Sequence, residues 1–183
     1  MSLPLETLRL LLKPITLDDA PQIQKLFPQR EIVQYLNAVI PWPYPPDGAE
    51  YFIREIALPE AARGHSWYWT IRRKSVPEQL IGVISLTTKG EGNRGFWLDP
   101  AWQGQGLMTE ACHVVTDYWF EVLRQPVLRA RKAIANEASR RISQRQGMRV
   151  VAQGHRDYVG GRMPSEVWEI TAEEWRARKK VVP

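Results

Sequence analysis

The sequence predicts an α/β domain built on a mixed sheet. Three observations carry that expectation. Strand-like and helix-like segments alternate along almost the whole chain. The 183 residues fit one domain, since domains typically run to roughly 100–200 residues. No linker or repeat divides them, and 44% are hydrophobic, enough for a core without staples. Residues 1–183 are therefore read as a single domain.

Residues 7–14 (TLRLLLKP) read as a first strand, ended by a proline that removes a donor. Asp18 and Asp19 ahead of Pro21 mark a helix start. Residues 47–58 form a second helical stretch, with Tyr51, Phe52, Ile56 and Ala57 on a shared face. The proline-dense segment 41–46 (PWPYPP) has to be a loop. The aromatic and β-branched run 66–71 (SWYWTI) is a strand. Two more strands, 80–87 and 95–98, complete an antiparallel meander with a turn across 74–78. A long helix follows over 104–123, striped by Ala111, Val115, Tyr118 and Val122, and 127–133 is a buried strand. The helix 136–146 has Asn136 as N-cap and Gly147 just past its end. Two strands flank Gly160-Gly161, and Thr171 with Glu174 forms a capping box for a last helix.

Composition narrows the chemistry. Against 20 Asp and Glu stand 25 Lys and Arg, a net charge of +5 that suits an anionic ligand. A single cysteine, Cys112, offers no disulfide framework, and His65, His113 and His155 are too scattered for a metal site. No apolar run is long enough to span a membrane and no secretion signal opens the chain, so a cytoplasmic protein without a membrane partner is expected. The basic runs Arg140, Arg141, Arg145, Arg149 and 176–180 are better explained by phosphate attraction than by nucleic acid.

The segment 98–111 (LDPAWQGQGLMTEA) carries the chemistry. A strand ends, Gly104 and Gly106 follow with one residue between them, and a helix begins. The first helical N–H groups lack intrahelical partners, and with the helix dipole they make an anion site suited to a pyrophosphate. Such turns also occur with no ligand. There is no Gly-Lys-Ser/Thr of a P-loop, and Thr109 stands where the dinucleotide fingerprint needs a third glycine.

These residues resemble a known family. Gln103-Gly104-Gln105-Gly106-Leu107-Met108 is similar to the Gln/Arg-x-x-Gly-x-Gly/Ala motif of the GCN5-related N-acetyltransferases (GNAT). Thr109-Glu110-Ala111, the block Asn136-Glu137-Ala138-Ser139 and the later Gln146-Gly147-Met148 resemble the branch of ribosomal-protein serine and alanine N-acetyltransferases. Thr7-Leu8-Arg9-Leu10 and Trp42-Pro43-Tyr44 resemble that branch's first strand and proline-aromatic loop. The resemblance implies a largely antiparallel sheet with a central splayed parallel strand pair and helices on both faces. It implies acetyl-CoA as co-substrate, no metal, and direct transfer to an amine of a small molecule or a protein N-terminus, in a monomer or homodimer. The backbone of Trp97 and Leu98 is then expected to pair with the pantetheine arm. Gln103, Gly104, Gln105, Gly106, Leu107, Met108 and Thr109 would hold the diphosphate, Asn136 would contact the pantetheine, and Ser139 would be the catalytic hydroxyl near the thioester sulfur.

Two departures stand out. Met108 occupies a position that is normally Gly or Ala, and must point away from the ligand. Many members carry a Glu in the strand before the motif, where this chain has Asn93 to Trp97; Glu91, Asp99 and Asp157 are the candidate bases, none assigned. Without a strong base, an acceptor with a low pKa is favoured. Near pH 7.4 an α-amine is roughly 30% neutral and a free lysine only about 0.1%. A non-catalytic acyl-CoA-binding regulatory module is the alternative reading. Trp67 and Trp69 alternate with Tyr68, so one set faces the core; Trp69, with Trp42 and Tyr44, is assigned to an acceptor pocket.

Overall fold

A computed structural model describes residues 3–179, so Lys180 of the second basic run lies outside the described residues. The strands form two antiparallel sheets. The first runs β1 (Leu5–Glu6), β2 (Leu10–Pro14), β3 (Ser66–Arg73), β4 (Val76–Thr87) and β5 (Arg94–Leu98), in that spatial order. The second contains β6 (Val127–Ala133), β7 (Arg149–Tyr158) and β8 (Gly161–Thr171), ordered β6-β8-β7. Helices α1 (Ala20–Leu26) and α2 (Arg30–Val33) precede α3 (Gly48–Tyr51), which continues through a π-helical turn, Phe52–Ala57, into α4 (Leu58–Ala62). Later come α5 (Leu107–Asp117) with its own π-helical turn, Tyr118–Val122, then α6 (Glu137–Arg145) and α7 (Ala172–Lys179).

Side-chain alternation along β3 and β4, reset by a bulge at Ile81 where the register jumps from Ile71–Gly82 to Arg72–Leu80, explains the layering. Leu80 and Val83 pack with Ile23, Phe27, Ala49 and Ile53 on one face. Ile81, Ile84 and Leu86 pack with Ala111, Cys112 and Val115 of α5 on the other. Both faces are thus covered, which corrects the reading of Trp69. Its ring is fully buried beside Tyr118, with centroids 5.3 Å apart, and its indole N–H donates to the Leu3 carbonyl at 2.7 Å. Alternation identifies residues that share a face; it does not say that a helix covers each face. On the α1 side, Arg72 and Asp19 form a buried ion pair, and the same guanidinium donates to the carbonyls of Pro77 (3.1 Å) and Glu78 (2.8 Å), fastening the start of β4.

Some boundaries differ from the sequence pattern for identifiable reasons. The first strand is split because Thr7 and Arg9 turn aside to hold Glu110. The long helix starts at Leu107, since Gly104 (φ 74°) and Gly106 (φ 77°) are left-handed. Strand β4 begins at Val76, inside the expected turn.

The two sheets meet at β5 and β6, where Asn93 stitches them. Its backbone N–H donates to the Arg129 carbonyl at 2.8 Å, and its side-chain oxygen accepts from the Arg129 N–H at 2.8 Å. Its amide nitrogen donates back to the Thr87 carbonyl at 3.1 Å. Past this stitch no ladder joins β5 to β6 among the described residues. Strand β5 runs on from it along one wall of a cleft whose opposite wall begins just past β6, at Ala135 and Asn136, where the expected fold has its splayed strand pair.

Candidate active site

The cleft has a volume of about 660 Å³, the size of a small-molecule site. Strand β5 lines it with Phe96, Trp97 and Leu98. The turn into α5 contributes Gln103, Gly104, Gly106, Leu107, Met108 and Thr109, and the start of α6 contributes Asn136 and Ser139. Ten of the eleven residues assigned to catalysis or acetyl-CoA from sequence therefore share one space. Gln105 does not line it.

The glycine turn is shaped for an anion. The amides of residues 104–109 have no protein acceptor among the described residues, and helix bonding begins with the Glu110 N–H to the Gly106 carbonyl at 3.1 Å. Gln105 acts through its carbonyl, which accepts from Arg9 at 3.0 Å. Arg9 also donates from its Nε to Glu110 at 2.7 Å, and its N–H and the Thr7 hydroxyl bond the same carboxylate. Partial burial opposes ionisation of Glu110, but these bonds outweigh it and hold its carboxyl below the usual range. A brace from the start of β2 thus fixes the turn from behind. Met108 borders the cleft but is buried and packs in the core with the rest of α5, so most of its bulk lies away from a ligand there.

Strand register decides which backbone groups of β5 are available. Asp99 donates to the Ile81 carbonyl at 2.9 Å, so every second residue of β5 bonds to β4 and Trp97, opposite Val83, is one of them. The groups turned toward the splay belong to Phe96 and Leu98, and the Leu98 carbonyl already accepts from the Gln103 side chain at 2.9 Å. Phe96 is the residue that sequence reading missed, because period-2 alternation is visible in a sequence but hydrogen-bonding parity is not.

At the other wall, Asn136 caps α6, its side-chain oxygen accepting from the Ser139 N–H at 3.2 Å. Ser139 is buried, and its Oγ accepts from Lys132 Nζ at 2.7 Å. Lys132 is itself buried on β6, with Nζ 5.4 Å from the Phe96 ring centroid and no salt bridge among the described residues. Burial first, and then the like charge of Arg94, push its ammonium down to about 7. Sequence reading overlooked this lysine. The signal was there: Leu128, Ala130 and Lys132 fall on one period-2 face of a strand read as buried.

Charges around the cleft are sorted. Arg141 and Arg145, one turn apart on α6, line it. Arg140 instead pairs with buried Glu166 at 3.0 Å, and Arg149 with Glu169 at 3.0 Å. Of the candidate bases, Glu91 pairs with Arg131, Asp157 lies 3.5 Å from Arg162, and Asp99 caps a short turn; none lines the cleft. Its carboxylates are Glu31 on α2 and Glu137 on α6. Trp42 and Tyr44 do not line it either. Trp42 is exposed on its loop, while Tyr44 packs edge-on against Phe27 at 5.0 Å, where burial pushes its phenol up to about 12. Trp102 is the tryptophan besides Trp97 that does line it, with the Arg73 guanidinium 4.8 Å from its ring centroid.

Comparison with known proteins agrees with this geometry. The acetyltransferase (GNAT) domain profile matches residues 9–149, most of the chain. The chain belongs to the GNAT family. Among curated proteins, YdaF of Bacillus subtilis (strain 168), provisionally named a ribosomal N-acetyltransferase, is 32% identical over 107 residues. That match takes in 55% of this chain and 58% of YdaF, so the chain spans little more than half the length of that relative. Among solved structures, the ribosomal-protein-S5-alanine acetyltransferase from Vibrio fischeri superposes with a TM-score of 0.80 at 17% identity, covering 95% of this chain and 99% of its own. RimL, a ribosomal L7/L12 α-N-protein acetyltransferase solved in complex with coenzyme A, gives 0.77 at 16%, covering 90% and 95%. At these identities the likeness establishes a GNAT fold of antiparallel sheets flanked by helices. Among the described residues no cluster of His, Cys, Asp or Glu is arranged to hold a metal, and no helix is long and apolar enough to cross a membrane.

Proposed function

We propose that this GNAT protein binds acetyl-CoA in the β5–β6 cleft and transfers the acetyl group directly to an amine, with an α-amine of a protein or peptide as the preferred acceptor. The observation that carries this reading is the row of amides at Gly104 and residues 106–109, unpaired among the described residues, on the wall of the cleft. Five N–H groups at a helix start suit a diphosphate, and Arg141 and Arg145 add positive charge for the remaining phosphate. The pantetheine arm lies along the outward backbone of Phe96 and Leu98, bounded by Asn136, and brings the thioester to Ser139. The amine attacks the carbonyl carbon, the C–S bond breaks, and Ser139 donates its proton to the departing thiolate. Most of the rate comes from holding amine and thioester together. Glu31 and Glu137 are the cleft carboxylates that can accept the amine's proton. The names of the relatives support a protein N-terminus as acceptor, and the cytoplasm is where such a substrate and acetyl-CoA meet.

Two measurements test this. Acetyl-CoA at 100 times Kd should add about 2.7 kcal/mol of stability, or roughly 5–11 °C in Tm. CoA-thiol release is then followed against peptides with free α-amines, peptides with internal lysine only, and small amines. No thermal shift removes the binding site; equal rates for α-amine and lysine peptides remove the acceptor assignment.

A further inference from the structure

We propose that Lys132 is the positioning residue for Ser139: its ammonium orients the Ser139 hydroxyl toward the departing sulfur and replaces the proton that the hydroxyl gives up. This inference rests on the placement of the thioester beside Ser139 proposed above. Ser139 Oγ accepts from Lys132 Nζ at 2.7 Å, so the hydroxyl hydrogen is not spent on the lysine and is left to point into the cleft. The cation sits behind the serine, in contact with the Phe96 face, and does not itself line the cleft. A serine hydroxyl alone is a poor acid. Coupled to an ammonium that gains and loses a proton near pH 7, it becomes a competent donor to a thiolate whose own pKa is about 8.5, taking cysteine as its measure.

The step balances. The amine lone pair forms the C–N bond, the C–S bonding pair leaves on sulfur, and the Ser139 proton goes to that sulfur. A Lys132 proton restores the hydroxyl. The neutral lysine then recovers from solvent the equivalent of the proton released by the acylated nitrogen. Four groups frame the lysine. Arg94 on β5 repels its charge, and buried Cys112 on α5 slightly favours it. Phe96 presents its ring. Glu166, the cross-strand partner on β8, is engaged by Arg140 and by the Trp168 indole N–H at 3.0 Å. With no carboxylate among the described residues paired to it, Lys132 is free to cycle its proton.

The test compares Lys132→Met, Ser139→Ala and the double variant. Rates are read as acetyl-CoA thiol release with an alanine- or serine-initiated peptide, and as basal acetyl-CoA hydrolysis where no peptide turns over. Lys132→Met should lose about 10- to 100-fold in kcat while acetyl-CoA affinity stays within about twofold. Wild-type kcat should fall as pH rises past neutrality and Lys132 loses its proton, that fall should be absent in Lys132→Met, and the double variant should be no slower than Ser139→Ala, since residues acting as a unit are not additive. If Ser139→Ala is impaired but Lys132→Met keeps the wild-type rate and pH profile, the inference falls and the reading of Ser139 stands. A parallel loss of acetyl-CoA affinity and kcat in Lys132→Met would make the lysine merely structural and overturn it. An unimpaired Ser139→Ala overturns both.

Discussion

Replacing Lys132 with methionine should stabilise the fold, and by more at acid pH than at alkaline pH. The lysine's ammonium is buried and its pKa falls from 10.5 to about 7. Below pH 7 the folded protein carries a charge that the unfolded chain holds at no cost, so the full penalty is present there. As pH rises from 7 toward 10.5, the folded state has already released the proton while the unfolded state still binds it. Stability of the native protein therefore climbs through that window. At 1.36 kcal/mol per unit, the shift corresponds to a penalty of roughly 4–5 kcal/mol below pH 7, of which about 2–3 kcal/mol disappears between pH 6.5 and 9. Methionine keeps the straight apolar stem and adds no charge, so packing changes little. For a chain of this size the variant's Tm advantage should shrink by about 5–10 °C across those pH values. Thermal unfolding of both proteins at each pH checks this. Parallel pH curves would refute it, since a lysine with an ordinary pKa contributes no slope in that range.

Other perturbations follow from geometry. Asp19→Asn leaves the buried Arg72 guanidinium without its anion and should cost about 3–5 kcal/mol in urea unfolding. Ala at Gly82 places a Cβ 2.4 Å from the Trp97 carbonyl and 3.1 Å from the Leu98 backbone, which only a shift of β5 can relieve. The Gly82→Ala variant should lose about 1–3 kcal/mol of stability and bind acetyl-CoA more weakly by calorimetry. Arg9→Ala frees the Gln105 carbonyl and Glu110, and should weaken acetyl-CoA binding several-fold while the fold persists. Arg145→Ala should lower that affinity at low salt, and the difference from wild type should narrow as ionic strength rises.

Much of the fold was legible because local rules and tertiary demands agree. The Thr171–Glu174 capping box is made in full, with bonds of 2.8–3.2 Å, and Asn136 caps α6 as its residue type suggests. The meander and both glycines of the turn follow from periodicity and φ freedom alone. What stayed hidden depends on partners distant in sequence. Thr7 and Arg9 look like strand residues until Glu110, about a hundred positions away, claims them. Asn93 reads as a lost glutamate, yet its work is to hold two strands together. Trp69 was assigned to a pocket because nothing local reveals the helix lying over it. The burial of Lys132 is readable from its place on the period-2 face of Leu128 and Ala130, but its bond to Ser139 arises only when β6 and α6 close on each other.

The Asn93 stitch means that a side-chain amide does the fastening a neighbouring peptide unit would ordinarily do, and it does so at a single point. The seam beyond that point is an interior edge: among the described residues the outward backbone groups of Phe96 and the Leu98 N–H have no partner, and only the Leu98 carbonyl is taken, by the Gln103 side chain. A pantetheine arm lying there would finish the sheet in the manner of an inserted strand, so that cargo and scaffold share the same bonds. Hydrogen exchange at Phe96 and Leu98 should accordingly slow on loading, while the amide of Trp97, already inside a ladder, should scarcely change.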